Sequence, residues 1–227
     1  MQDRNEEFST AVYEGRLAQV CKLLETKEVD IHYKNKSGDT ALIIAVYLGY
    51  TEIFCLLLTK GADCNQKSKE DYTPLMLAAD KGSLRMVREL LKYPIKIDEK
   101  SIWGNTAFML ASAGGHATVV SELLQYPVNI HCRNRMGLTA YDLAKRARHT
   151  AVTKVIDDHL TELKTYKKRE KRIELFFLGD LLEKPSFLSK IKDLFFNKKA
   201  PAVEFPKELV TMIEEYAKPP CIMGPGK

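Results

Sequence analysis

Metal ligation or nucleophilic attack in this sequence of 227 residues would fall to five histidines (His32, His116, His131, His149 and His159) and five cysteines (Cys21, Cys55, Cys64, Cys132 and Cys221). A structural zinc draws on four such side chains, usually with a close C-x-x-C or H-x-x-x-H pair, and no such pair occurs. An H-E-x-x-H helix and a G-x4-G-K-[ST] phosphate loop are absent as well. His116 and His149 are separated by a spacing of 33 (149 − 116), and His32 and His131 by three such intervals (131 − 32 = 3 × 33). A fixed interval of that length scatters matched side chains along a structure instead of gathering them. Structural duty is therefore the reading for the histidines, with no Ser–His–Asp or Cys–His set, no metal and no cofactor; the chain reads as not an enzyme.

Charge offers a second kind of chemistry. Thirty-five Lys and Arg against 30 Asp and Glu leave a formal +5, too mild to argue by itself for nucleic acid or an acidic membrane. The excess is densest in residues 164–172, KTYKKREKR, a pattern that could import the protein into the nucleus or touch acidic lipid or nucleic acid. Its plain reading is a solvated helix face. Tyr166 is its sole aromatic, so a nucleic-acid partner is not expected. Scattered cysteines, an odd number of them, fit a reducing compartment better than a disulfide scaffold. No apolar signal segment opens the sequence, and no run reaches the roughly 18 apolar residues that span a bilayer. A cytoplasmic location is the expectation.

The elements that position these residues come from an internal repeat. Gly38-Asp-Thr-Ala-Leu returns as Asp71-Tyr-Thr-Pro-Leu, Gly104-Asn-Thr-Ala-Phe and Gly137-Leu-Thr-Ala-Tyr, and the threonines Thr40, Thr73, Thr106 and Thr139 keep the same spacing of 33 (73 − 40, 106 − 73, 139 − 106). Behind each threonine come an alanine-containing segment, a glycine turn, an apolar segment and, in three blocks, a Leu pair (Leu57-Leu58, Leu90-Leu91, Leu123-Leu124). Threonine at a helix start accepts a hydrogen bond from an orphan N–H, and Pro74 pre-sets the first turn. Gly49, Gly82 and Gly115 suit tight helix-to-helix turns. Ala45, Ala78, Ala79, Ala111 and Ala144 allow close helix approach, while Ile53, Leu56, Leu57, Val87, Leu90, Val119, Val120 and Leu123 supply the buried faces.

This pattern resembles the ankyrin-repeat family, with Thr73 to Ala79 and Gly61-Ala-Asp-Cys-Asn65 matching its signature best. The resemblance implies an all-α solenoid of helix-turn-helix units joined by β-hairpin-like loops, with repeats at about 5–34, 35–67, 68–100, 101–133 and 134–163. The first lacks the threonine signature, as a capping repeat would, and its loop is one residue longer. The family's histidine two residues after Pro is replaced by Ile43, Met76, Met109 and Asp142, so its bond to the threonine is expected to be missing and local stability lower. Repeat five, with Lys145-Arg-Ala-Arg-His149 at the turn, is the most divergent. Residues 164–218 read as a helical extension capping the last repeat, with helices at 173–182, 187–196 and 205–216, and residues 219–227 as a disordered tail.

Family resemblance also implies a binding surface on the concave side, formed by hairpin tips and the inner face of the first helices. Carried over by position, repeat two contributes Lys36, Ser37, Asp39, Tyr47 and Leu48. Repeat three contributes Lys69, Glu70, Tyr72, Asp80 and Lys81. Repeat four adds Ile102, Trp103, Asn105 and Ala113, and repeat five Arg135, Met136, Leu138 and Arg146. Trp103, Ile102, Met136 and Leu138 beside Tyr72 place apolar side chains where an idle solenoid would carry polar ones. The alternative is that Trp103 packs on a neighbouring loop. The implied partner is a protein, with no small-molecule substrate, bound by a monomer. A bacterial or viral effector acting in a host cytosol is one setting for such a chain. Residues 205–216 also resemble the opening of an F-box, through Pro206, Leu209 and Ile213, which would recruit a Skp1-like subunit of a ubiquitin ligase.

Overall fold

Helices of seven or eight residues are too short to persist alone in water, where about 12–15 residues are needed even for good helix formers, so caps and neighbours must hold them. The computed structural model describes the backbone of residues 2–26 and 28–180 and the side chains of 4–26 and 28–168. Successive repeats contribute α1 (Gln2–Tyr13) and α2 (Leu17–Glu25), α3 (Ala41–Leu48) and α4 (Thr51–Thr59), then α5 (Pro74–Asp80) and α6 (Leu84–Leu90). They continue with α7 (Ala107–Ala113) and α8 (Ala117–Leu123), then α9 (Ala140–Arg146) and α10 (Thr150–Asp180). The odd-numbered helices α1 to α9 stack side by side as an inner row, and α2, α4, α6 and α8 pack behind them as an outer row. Among the described residues the one β-bridge is isolated, Lys34 with Thr40. The fold is an all-α repeat solenoid. The chain divides after Leu163, and the residues described beyond it are helical, to Asp180.

Every inner helix from α3 onward starts the same way. Thr40, Thr73, Thr106 and Thr139 sit in extended backbone and accept from the N–H three residues on, at 3.4, 3.2, 3.3 and 3.2 Å. Pro74 fills the first turn of α5. The expected absence of a partner for these threonines at the family's histidine position has one exception. Asp142 stands there in repeat five and closes a capping box, its Oδ2 accepting from the Thr139 N–H at 3.0 Å and from the Thr139 hydroxyl at 2.8 Å.

The turns between helices need a left-handed residue. Gly82 has φ +67°, and a Cβ there would lie 2.4–2.7 Å from ring atoms of His116. That ring sits so close because His116 Nε2 is bonded to the Asp80 carbonyl at 2.8 Å, and His149 Nε2 repeats the bond to Ala113 O at 2.9 Å. The divergent turn of repeat five keeps the geometry without the glycine: Arg148 takes φ +61°.

Beyond this turn the structure departs from expectation. α10 continues without a break from the last repeat to Asp180, taking in the basic stretch, as its reading as a helix face allows, where a helix of its own was expected at 173–182. The reason is compositional, since no glycine or proline lies between Thr150 and Leu178. The expected helices at 187–196 and 205–216 and the tail lie outside the described residues.

Gly82→Ala should destabilise the protein by about 1–3 kcal/mol, combining the left-handed penalty with the His116 clash. Arg148→Gly should be neutral or stabilising by up to about 1 kcal/mol, because relief of that penalty outweighs the added chain entropy only slightly. Urea midpoints followed by circular dichroism will separate the two signs.

Candidate protein-binding groove

Each hairpin tip is built by one side chain at the same repeat position: Asn35, Ser68, Ser101 and Asn134. Its backbone N–H bonds to the carbonyl four residues on, at 2.9–3.0 Å in all four tips. Its side-chain oxygen accepts amides from inside the tip, as in Asn134 Oδ1 with Met136 N and Leu138 N, both at 3.0 Å. The same residues do this in the first tip, where Asn35 Oδ1 accepts from Ser37 N and Asp39 N. Adjacent tips are then tied to each other. Ile102 N donates to Glu70 O at 3.2 Å, Arg135 N to Trp103 O at 3.0 Å, and Asn134 Nδ2 to Asn105 Oδ1 at 2.9 Å. Lys34 Nζ reaches the Lys67 carbonyl at 2.8 Å and Lys100 Nζ the Arg133 carbonyl at 3.2 Å.

What the tips leave free is chemically uneven. Trp103 is 57% exposed and Met136, one repeat on, is 71% exposed. Tying the Trp103 carbonyl to Arg135 N fixes the backbone under both while leaving the indole in solvent. Ile102 and Leu138, in the same two tips, are half-buried. Tyr72 is also half-buried and packed against the core. Burial, then the nearby carboxylates of Glu70 and Asp80, push its hydroxyl pKa up.

At the other edge of the inner row, Tyr47 is 58% exposed and Lys81 lies over its ring, 4.6 Å from the centroid. Asp80, Arg146 and Ala113 are exposed at matching helix ends, and the Asp80 and Ala113 carbonyls serve the histidine bonds. Lys36 is exposed and faces Glu6 at 3.9 Å. Lys69 is exposed against Gly38, and Asp39 is half-buried, its carboxyl pushed up by burial and partly restored by Lys34. The residues named from repeat positions therefore line tips and helix ends over four repeats, clustering tightly only in neighbouring pairs. Pro206, Leu209 and Ile213 lie outside the described residues.

Sequence reasoning passed over three features. Tyr13, 64% exposed at the end of α1, occupies the place of Tyr47; the longer first loop shifts it to a spacing of 34 (47 − 13), which hid the match. The tip-building Asn and Ser residues were legible in their spacing of 33 (68 − 35, 101 − 68, 134 − 101). So was the basic row Lys34, Lys67, Lys100 and Arg133.

Chemistry of another kind finds little footing. Among the described residues no three His, Cys, Asp or Glu side chains are placed to hold a metal ion, and no helix is long and apolar enough to cross a membrane. A cleft of about 600 Å³ is lined by Lys67, Lys96, Ile97, Asp98, Glu99 and Lys100. Its charges answer one another, with Lys67 at 2.5 Å and Lys96 at 3.8 Å both on Glu99, whose pKa is lowered chiefly by the Lys67 hydrogen bond.

Family models described as ankyrin repeats match most of the repeat array, one of three copies over residues 8–101 and one of many copies over 99–144. No curated protein matches the chain.

The capping box has a pH signature. Hydrogen bonds from Thr139 hold the Asp142 pKa below its ordinary 3.8, helped by Arg133 and Arg146. A depressed carboxylate contributes stability above its unfolded pKa and loses it as pH falls through the folded value. Asp142→Ala should therefore lower the melting temperature at neutral pH, by the ~1 kcal/mol typical of a lost cap. That gap from wild type should close as the pH is taken below 3.8; a gap independent of pH would show that the carboxylate charge is not involved.

Proposed function

Because the chain belongs to the ankyrin-repeat family, whose repeats form protein-interaction scaffolds, we propose that it works by gripping a protein partner in the groove of its tips and inner helices, without catalysis. The observation that carries this reading is the exposure of Trp103 and Met136 on adjacent tips whose backbones are already fixed by hydrogen bonds. Large apolar side chains on a pre-organised surface lose little freedom on binding, and aromatic residues are typical energetic anchors of interfaces. Tyr47 under Lys81, with Tyr13 beside it in the array, extends the contact surface toward the first repeats. The scattered cysteines, four of them free among the described residues, favour a cytoplasmic setting, and a host cytosol is where an effector of this design would act.

A second reading gives the chain an adaptor role in ubiquitin ligation. Its support is the sequence Phe205-Pro-Lys-Glu-Leu-Val-Thr-Met-Ile, with Pro206, Leu209 and Ile213 at the spacing of an F-box opening.

Trp103→Ala/Met136→Ala leaves the core untouched, unlike a change at Tyr72, so it should fold normally and lose captured partners by about tenfold or more, as hot-spot truncation does. Affinity capture from cell lysate, quantified against wild type, tests this; an unchanged set of captured proteins rejects the groove. For the adaptor role, a Skp1-like subunit should co-purify with the full chain and vanish on deletion of residues 203–227. Co-purification that survives the deletion, or never occurs, removes that role.

A further inference from the structure

The groove is electrically lopsided. Residues 34–39 and 67–81, the tips of repeats two and three together with α5, carry five lysines and four carboxylates. Residues 100–121 contain no acidic side chain, and residues 129–151 contain one, Asp142, while the two stretches hold Lys100, Arg133, Arg135, Lys145, Arg146 and Arg148. All six cations are exposed. Among the described residues none of them has a carboxylate within 4.0 Å; Lys34, Lys69 and Lys81 have none either, but their stretches carry four carboxylates of their own, and Arg4, Arg16, Lys67, Arg88 and Lys92 are paired at 3.0 Å or less. Asp142 offsets Arg133 and Arg146 in part, without an ion pair, and its carboxylate is engaged by the amide and hydroxyl of Thr139. Lys100 and Arg133 do have partners, but these are carbonyls, at 3.2 and 2.6 Å, which orient a cation without neutralising it.

Self-repulsion of this kind works against the fold. Lys145 and Arg146 complement the C-terminal end of α9, which favours cations there. Lys100, Arg133 and Arg135 lie in tips, where no helix end calls for them. They share those tips with the exposed Trp103 and Met136, and the Arg135 N–H is bonded to the Trp103 carbonyl.

Resting on the groove reading above, we infer that repeats four and five take an extended acidic peptide segment, which seats one large apolar side chain between Trp103 and Met136 and directs carboxylates to Arg135, Arg146 and Lys100. Guanidinium forks match carboxylates bidentately. Helices packed side by side lie about 8–10 Å apart, so the backbones that carry equivalent residues in adjacent repeats are spaced by roughly that distance. An extended strand advances ~3.3 Å per residue, so acidic residues about three apart, flanking the apolar anchor, fall into register with the repeats. A nucleic-acid strand fits less well: stacking platforms need several flat side chains in succession, and here one indole is followed by a thioether.

Random peptides displayed on phage and selected on the full chain should converge on Asp or Glu within about three or four residues of a Phe, Leu or Trp. A fluorescein-labelled peptide of the consensus should bind, by anisotropy, about tenfold or more weakly at high salt and to Arg135→Glu/Arg146→Glu, and weakly to Trp103→Ala. The milder Arg135→Gln/Arg146→Gln pair should show an intermediate loss, and circular dichroism will confirm that each variant is folded. A consensus without acids, no enrichment, indifference to charge reversal, or tighter binding of an oligo-dT strand than of the peptide overturns the inference. If lysate capture is lost with Trp103→Ala/Met136→Ala but not with charge reversal, the groove stands and the acidic partner falls. If neither variant changes capture, the groove itself is wrong.

Discussion

No repeat of this protein encloses a core of its own, and close approach of the inner helices is what makes one. Ala11, Ala45, Ala78, Ala111 and Ala144 occupy one matched position down the array, each with 1% exposure or less. A side chain without reach beyond Cβ lets each inner helix nestle against the next, so that Phe8, Leu42, Met76, Phe108 and their outer-row neighbours Phe54, Leu57, Leu90 and Leu123 merge into one continuous core. Burial of each such large side chain contributes about 1.5–3 kcal/mol, more than the helix-forming tendency of so short a segment could supply. Helix existence here is a consequence of stacking.

Close stacking dictates what happens at the two edges. At the turn edge, Tyr50 lies against Gly15, His116 against Gly82 and His149 against Gly115, with the two histidines reaching carbonyls one repeat back. The series has a gap between repeats two and three, where Ser83 is too small and nothing approaches within 4 Å of where a Gly49 Cβ would be. Lys81 over Tyr47 crosses that same junction on the inner side. At the tip edge, backbone and lysine bonds stitch repeat to repeat, so the groove is bounded by two hydrogen-bonded margins with packed helices between them.

The architecture was legible because its causes are periodic. A threonine at one fixed place in each of repeats two to five is a helix cap in each, and the structure puts an N–H on every one. Legibility failed where a cause was not periodic. The box made by Asp142 depends on a residue read only as a missing histidine, although Thr followed three residues later by an acid is itself a helix-start signal. Continuity of α10 past the last repeat depends on the lack of a breaker, which a search for repeats does not weigh. Tyr13 escaped through a single inserted residue. Of the groove, position in the repeat puts the named side chains in tips and helix ends, while their exposure had to be read from the structure: Trp103 stands in solvent, whereas Tyr72, two places further along its own tip, packs on the core.

That last difference shows where specificity can reside. Within each tip the structure commits the first residue (Asn35, Ser68, Ser101, Asn134) to bonding and the fourth (Gly38, Asp71, Gly104, Gly137) to a left-handed backbone. The two between them lend the fold their backbones while their side chains make no hydrogen bond within the tip, and there the sequence reads Lys-Ser, Lys-Glu, Ile-Trp and Arg-Met in turn. Asp71 accepts a left-handed conformation that glycine would take more cheaply, so even a committed position can give up some stability for a surface carboxylate. Because the scaffold holds these pairs at a regular interval and at fixed orientation, a partner meets a short linear series of side chains, mixed in charge at one end and cationic and apolar at the other. On the groove reading proposed above, recognition depends on matching that series, whose uneven ends would give a bound chain a direction as well as a place.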